Sequence, residues 1–128
     1  NMMRISHLDH LVLTVADIAV SCDFYTRVMK MEKVVFGGGR IALAFGHQKI
    51  NLHQHHAELQ PHAKAPLPGS ADLCFITSTP LTEVITHLAE CGVAMLEGPI
   101  PRTGATGPIV SVYFRDPDGN LIEVANPA

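Results

Sequence analysis

Glu123 lies inside the run LIEVA (121–125), where every neighbour is apolar. An ionised carboxylate in apolar surroundings is costly unless it is paired or bound to a cation. Histidine is the natural co-ligand, and the chain has eight, four of them crowded at His47, His53, His55 and His56. His53 lies in the strand-like KINLHQ. His10 stands in LDHLVLTV, sharing the period-two face of a strand with Leu8 and Val12. Asp72 opens the comparable stretch ADLCFIT. Two imidazoles and two carboxylates in a partly apolar cleft are the donors of a divalent-metal site, and the cation would neutralise Glu123.

Each of these residues also has a plainer reading. A single strand histidine such as His10 is more often a satisfied core residue than a ligand. Glu123 fits an interior salt bridge, His53 a polar edge shared with His55 and His56, and Asp72 a cap on the preceding connector. The metal reading rests on the positions recurring together.

The elements that must present them follow from periodicity. Residues 7–15 alternate and read as a strand. Asp17 is an N-cap, and Ile18, Cys22, Tyr25, Val28 and Met29 then recur at helical spacing. KVVF, RIALAFG and KINLHQ are strands, with the glycines of GGGR free to take the positive φ of a turn. Residues 57–70 carry three prolines and no periodicity, and read as a connector. The order then repeats: strand ADLCFITS, helix LTEVITHLAECG with Thr79 or Thr82 at its start and Gly92 as its stop, strand-like VAMLEGP, strand IVSVYFRD, turn PDG and strand NLIEVAN. The expected fold class is α+β, two tandem βαβββ modules in one 1–128 domain, with module one at about 5–56, the connector at 57–70 and module two at about 71–126. A shift of 62 places His10 on Asp72, and a shift of 70 places His53 on Glu123. The difference falls in GPIPRTGATGP, read as a longer, glycine-softened loop.

Composition narrows the function classes. Hydrophobic residues make up 47% and charged residues 16%, with a net charge of −3, so neither a nucleic-acid footprint nor a disordered acidic tail is expected. No apolar run is long enough for a membrane span, and RISHLDHLVLTV leads straight into periodic sequence rather than a signal peptide. Cys22, Cys74 and Cys91 form no CxxC pair, and their odd number argues for a reduced, cytoplasmic setting. Asn1 ahead of Met2 is set aside from the fold reading.

LDHLVLTVADIAVSCDFYTRVMKM resembles the opening of glyoxalase-type domains of the vicinal oxygen chelate superfamily, and GPIVSVYFRDPDGNLIEVAN resembles their ending. FGHQKINLH, PGSADLCFIT and EGPIPRTGATGPI are similar to the lactoylglutathione-lyase-like subgroup. The resemblance implies paired modules forming a U-shaped mixed sheet around a divalent metal (zinc, nickel, iron, cobalt or manganese) and a homodimeric assembly. Its ligand positions fall on His10, His53, Asp72 and Glu123. Glyoxalase I usually carries a carboxylate or amide at the place of His53 and a histidine at that of Asp72, so this chain exchanges the two.

The implied chemistry is that of a lyase or isomerase acting on a small α-carbonyl compound, including a glutathione-linked thiol adduct. The metal polarises vicinal oxygens, while Glu123, with Asp72 second, carries the proton. One alternative is a non-haem iron dioxygenase using His10, His53 and Glu123. Another is a non-catalytic small-molecule binder of the resistance type. Arg102, Arg115 and Tyr113 are the candidate substrate contacts, Arg102 from the glycine-rich loop. Phe24 and Tyr25 are read as packing.

Overall fold

The computed structural model describes residues 2–128; Asn1 lies outside the described residues. The chain runs β1 (His10–Val15), α1 (Ile18–Arg27), β2 (Glu32–Phe36), β3 (Arg40–Phe45), β4 (Gln48–Gln54), β5 (Asp72–Ile76), α2 (Leu81–Glu90), β6 (Glu97–Thr103), β7 (Pro108–Arg115) and β8 (Leu121–Pro127). This is the expected α+β order, βαβββ twice, built as two four-stranded mixed sheets. The chain divides into two compact units, Asn1–Pro66 and Leu67–Ala128.

Both units share one topology. The sheet orders are β1-β4-β3-β2 and β5-β8-β7-β6, with the first strand parallel to the last and all other neighbours antiparallel. The parallel pair is possible because a helix and two strands carry the chain back to the same end. β1 starts at His10 rather than residue 7, because its ladder partner β4 starts only at Gln48. Upstream, the Gln48 Nε2 donates to Leu8 O instead.

Each sheet buries one face beneath its helix. In the first unit Leu13, Val15, Leu43, Ile50 and Leu52 are buried, and so are Phe24 and Tyr25 of α1. The two rings meet edge-on with centroids 5.2 Å apart, so both serve as packing residues. In the second unit Val112, Phe114, Ile122 and Val124 are buried, with Leu81 and Leu88 from α2. Each such side chain contributes on the order of 1.5–3 kcal/mol through burial.

The helix starts reveal a device the sequence does not advertise. Asp17 caps α1 as expected, its Oδ1 accepting from Ala19 N and Val20 N. Ile18 N donates further to Gln54 Oε1, while Gln54 Nε2 donates to Ala16 O. At α2 neither Thr79 nor Thr82 caps: the N-cap is Pro80, without a side-chain cap bond of its own. Instead Leu81 N donates to Asn126 Oδ1, and Asn126 Nδ2 donates to Thr77 O and Thr79 O. An amide at the end of each unit's last strand thus clamps the loop and start of that unit's helix. We expect Asn126→Ala to lower stability by about 1–2 kcal/mol, as removal of an N-cap does. A shifted urea midpoint with an unchanged slope would show it, and an unchanged midpoint would refute the clamp.

The expected GPIPRTGATGP loop is largely strand. β6 covers Glu97–Thr103, downstream of the expected VAMLEGP. Pro99 and Pro101 are tolerated because β6 is the sheet edge, where a missing N–H costs no ladder bond. The pairing slips between Glu97 and Ile100, where Gly98 takes φ +111°. A Cβ on Gly98 would collide with the Ser111 backbone, so glycine is required there.

Candidate functional site

The ladders place the candidate residues in rows. On the first unit's face turned away from α1, one row runs His10, Lys49, Ala44, Glu32, and the next Val12, Asn51, Ala42, Val34. A third holds Thr14 and His53, with Arg40 and Phe36 beyond. In the second unit the corresponding rows are Asp72, Leu121, Arg115, then Cys74, Glu123, Tyr113, Glu97, then Ile76, Ala125, Ser111, Ile100.

These registers correct the repeat alignment. His10 lies opposite Lys49 and Asp72 opposite Leu121, so the first strands are offset by 62 and the last strands by 72 (121 − 49). The shift of 70 is therefore two residues short. Asn51, not His53, occupies the place of Glu123, and His53 matches Ala125. The two clamps confirm the frame, since Gln54 and Asn126 are also 72 apart. His53 stands four residues beyond Lys49 along β4, roughly 13 Å at about 3.3 Å per residue. Two imidazoles sharing one ion hold their nitrogens within about 4 Å, given metal–nitrogen bonds of about 2.1 Å. The residue-type pattern concealed this because Asn51 is uncharged and drew no attention beside four histidines.

His10 is half-exposed, and its Nδ1 lies 2.9 Å from Asp9 Oδ2. A carboxylate on Nδ1 fixes the tautomer that leaves Nε2 as the donor to a metal, the usual outer-shell arrangement. Asn51 is buried, and its Oδ1 has no hydrogen-bond partner. Buried amide oxygens are rarely left so.

In the second unit Ser111 Oγ donates to Glu123 Oε2 at 2.5 Å, a charge-assisted bond that fixes the carboxylate. The Cys74 thiol, one strand away in the same row, is raised to about 11 by partial burial and by the Glu123 carboxylate. It therefore stays protonated at neutral pH and is a poor nucleophile. In metal-free protein, alkylation of Cys74 is expected to be about a hundredfold slower than that of an ordinary thiol, and faster in Glu123→Gln. Peptide mapping after timed labelling measures this; rapid labelling of Cys74 would contradict it.

Arg102 does not wave from a loop. It sits on β6, its Nε donating to Tyr113 Oη at 2.9 Å, its Nη2 3.7 Å from Glu97 Oε1. Arg102 and Tyr113 thus form one polar cluster in and beside the row of Glu123. Arg115 Nη1 donates to Gly119 O, which ties it to the turn before β8.

Among the described residues, no three His, Cys, Asp or Glu side chains gather as a metal-binding group. The candidates come as two pairs, each diagonal across a parallel strand pair: His10 with Asn51, and Asp72 with Glu123. Their donor types suit a divalent cation, and the orphaned Asn51 oxygen and open His10 Nε2 fit one. Neither pair completes a coordination shell alone.

A family model described as the Glyoxalase/Bleomycin resistance protein/Dioxygenase superfamily matches residues 7–124. The chain is 55% identical over 123 residues to virulence protein STM3117 of Salmonella typhimurium, covering 96% of this chain and 85% of that protein. It is 52% identical over 124 residues to glyoxalase domain-containing protein RDO1 of Mycosarcoma maydis, covering 97% and 70%. An integron cassette protein from the mobile metagenome of V. cholerae has a solved structure that superposes with a TM-score of 0.98 at 59% identity, covering 100% of both chains.

Proposed function

The chain belongs to the glyoxalase/bleomycin resistance protein/dioxygenase superfamily, and from that premise we propose that it is a divalent-metal-dependent lyase or isomerase acting on a small α-carbonyl or thiol-adduct substrate. The proposed ligands are His10, Asp72 and Glu123, with Asn51, which stands at the register position of Glu123, as the fourth. Assembly as a homodimer is part of the same reading. The observation that carries it is the fixed carboxylate: Ser111 holds Glu123 by one of its oxygens.

A divalent ion in this set would supply Lewis acidity to a vicinal-oxygen substrate. The chain's own residues supply the rest. Glu123 takes the proton from the carbon beside the carbonyl and returns it to the neighbouring carbon, so no net proton is lost. Ser111 keeps that carboxylate aimed. Tyr113 accepts from Arg102 and so turns its own O–H outward as a donor to a substrate oxygen. Asp72 is the second carboxylate of the set.

The dioxygenase reading weakens on the same geometry. It needed two histidines and one carboxylate, and the register moves His53 away from His10. One imidazole with two carboxylates is not the oxygenase triad of two histidines and one carboxylate.

The test is metal analysis of protein purified without chelator and after reconstitution with zinc, nickel, cobalt, manganese or ferrous iron. Conversion of a 2-oxoaldehyde–thiol hemithioacetal to its thioester is assayed in parallel. We expect stoichiometric metal in wild type and its loss in His10→Ala. Failure of every reconstitution to load stoichiometric metal would end this reading.

A further inference from the structure

His53 is left without a task by the register. It is 6% exposed, and neither ring nitrogen has a hydrogen-bond partner. Buried polar groups in native proteins almost always have partners, so the ring is a candidate donor to a bound group. The surroundings say what kind of group.

Arg40, one strand over, is close enough to act on the His53 ring through its charge. The Arg40 guanidinium carbon lies 4.9 Å from the centre of the Phe36 ring, and Lys49 Nζ lies 3.7 Å from it. Lys49 and Phe36 are two rows apart, and only Ala42 and Ala44 stand on β3 between them. Two cations thus converge on one ring, and one of them, Arg40, also acts on the unpaired imidazole. Among the described residues neither cation has a carboxylate within ion-pair distance. Glu32 shares the Lys49 row without pairing with it. Glu58, which also acts on His53, already accepts from the His56 backbone and meets the His55 ring.

We propose that Arg40, Lys49 and His53, with the Thr14 hydroxyl beside them, form a subsite for an oxyanion group of the substrate, a carboxylate or a phosphate-type group. Arg40 offers the planar fork that suits either anion, Lys49 a mobile charge, and His53 one N–H. His53 is then a substrate-binding residue, not a metal ligand. The inference rests on the proposed metal-dependent reading only in calling the bound group a substrate's. The oxyanion site itself is independent of it.

The experiment is titration of full-length, chelator-treated protein with inorganic phosphate and, separately, acetate, followed by 1H–15N NMR at constant ionic strength. We expect saturable shifts at Thr14, Arg40, Lys49 and His53. Binding should weaken about tenfold or more in both Arg40→Gln and Lys49→Gln, as loss of a charge-assisted contact implies, and be unchanged in Lys33→Gln, on the opposite face of β2. The tighter of the two anions identifies the substrate group. Absence of saturable binding, or equal binding in Arg40→Gln and Lys49→Gln, overturns the proposal. So does loss of metal from His53→Gln with anion binding intact. Because the titration is metal-free, failure of metal loading would leave its outcome readable.

Discussion

Glu123→Gln is expected to lower kcat of the reconstituted protein by about 10²–10⁴-fold, the range associated with loss of a positioned general base. The amide is the same size, so the strand and its packing should survive, and stability should change little. It can still accept from Ser111 through its oxygen, but it cannot take a proton, and it binds a cation far more weakly than a carboxylate. Metal content should therefore fall with activity. Ser111→Ala should do less, on the order of 10–100-fold, because it removes only the group that orients the carboxylate. Steady-state kinetics with metal quantified in the same samples separates these effects. Full metal and full turnover in Glu123→Gln would remove Glu123 from both proposed roles.

Asp116→Ala is expected to destabilise the protein by about 2–4 kcal/mol, since it breaks a buried hydrogen-bond network and leaves its donors unpaired. Asp116 is 5% and Asn120 1% exposed. Asp116 Oδ1 accepts from Asp118 N and Asn120 N, and Oδ2 accepts from Asn120 Nδ2. Asn120 Oδ1 then accepts from Ala71 N, just ahead of β5. The turn before β8 is thereby fastened to the start of β5, and the register Asp72↔Leu121 follows from it. Losing the network should loosen Asp72 and Glu123 together. A urea titration would report the stability, and metal affinity the coupling. A loss under about 0.5 kcal/mol, the usual size of a surface effect, would show that the turn is not a fastening.

The DPDGN stretch shows what sequence reading reaches and where it stops. Asp-Pro-Asp-Gly announces a turn through local chemistry: proline fixes φ, and Gly119 takes φ +86°. That Asn120 also holds Ala71, 49 residues away, is invisible in the string. The same holds for the helix starts. Asp17 was legible because it caps within its own turn, whereas Asn126 was not, since its partner Leu81 lies 45 residues earlier. β6 was misplaced because Pro99 and Pro101 speak against a strand unless the strand is known to be an edge.

By itself the sequence determined the element order, the α+β class, the tandem βαβββ plan, the packing role of Phe24 and Tyr25, and the candidacy of His10, Asp72 and Glu123. Period-two and period-3.6 patterns, caps and turn residues are local, and each leaves its mark within a few positions. Only the tertiary structure decided the registers. A two-residue slip along a strand keeps every side chain on its face, so alternation cannot tell a shift of 70 from one of 72. Hydrogen-bonded pairing can, and it set Asn51 in the place opposite in kind to Glu123, sent His53 to the row of Thr14, and took Arg102 out of a loop into a strand beside Tyr113.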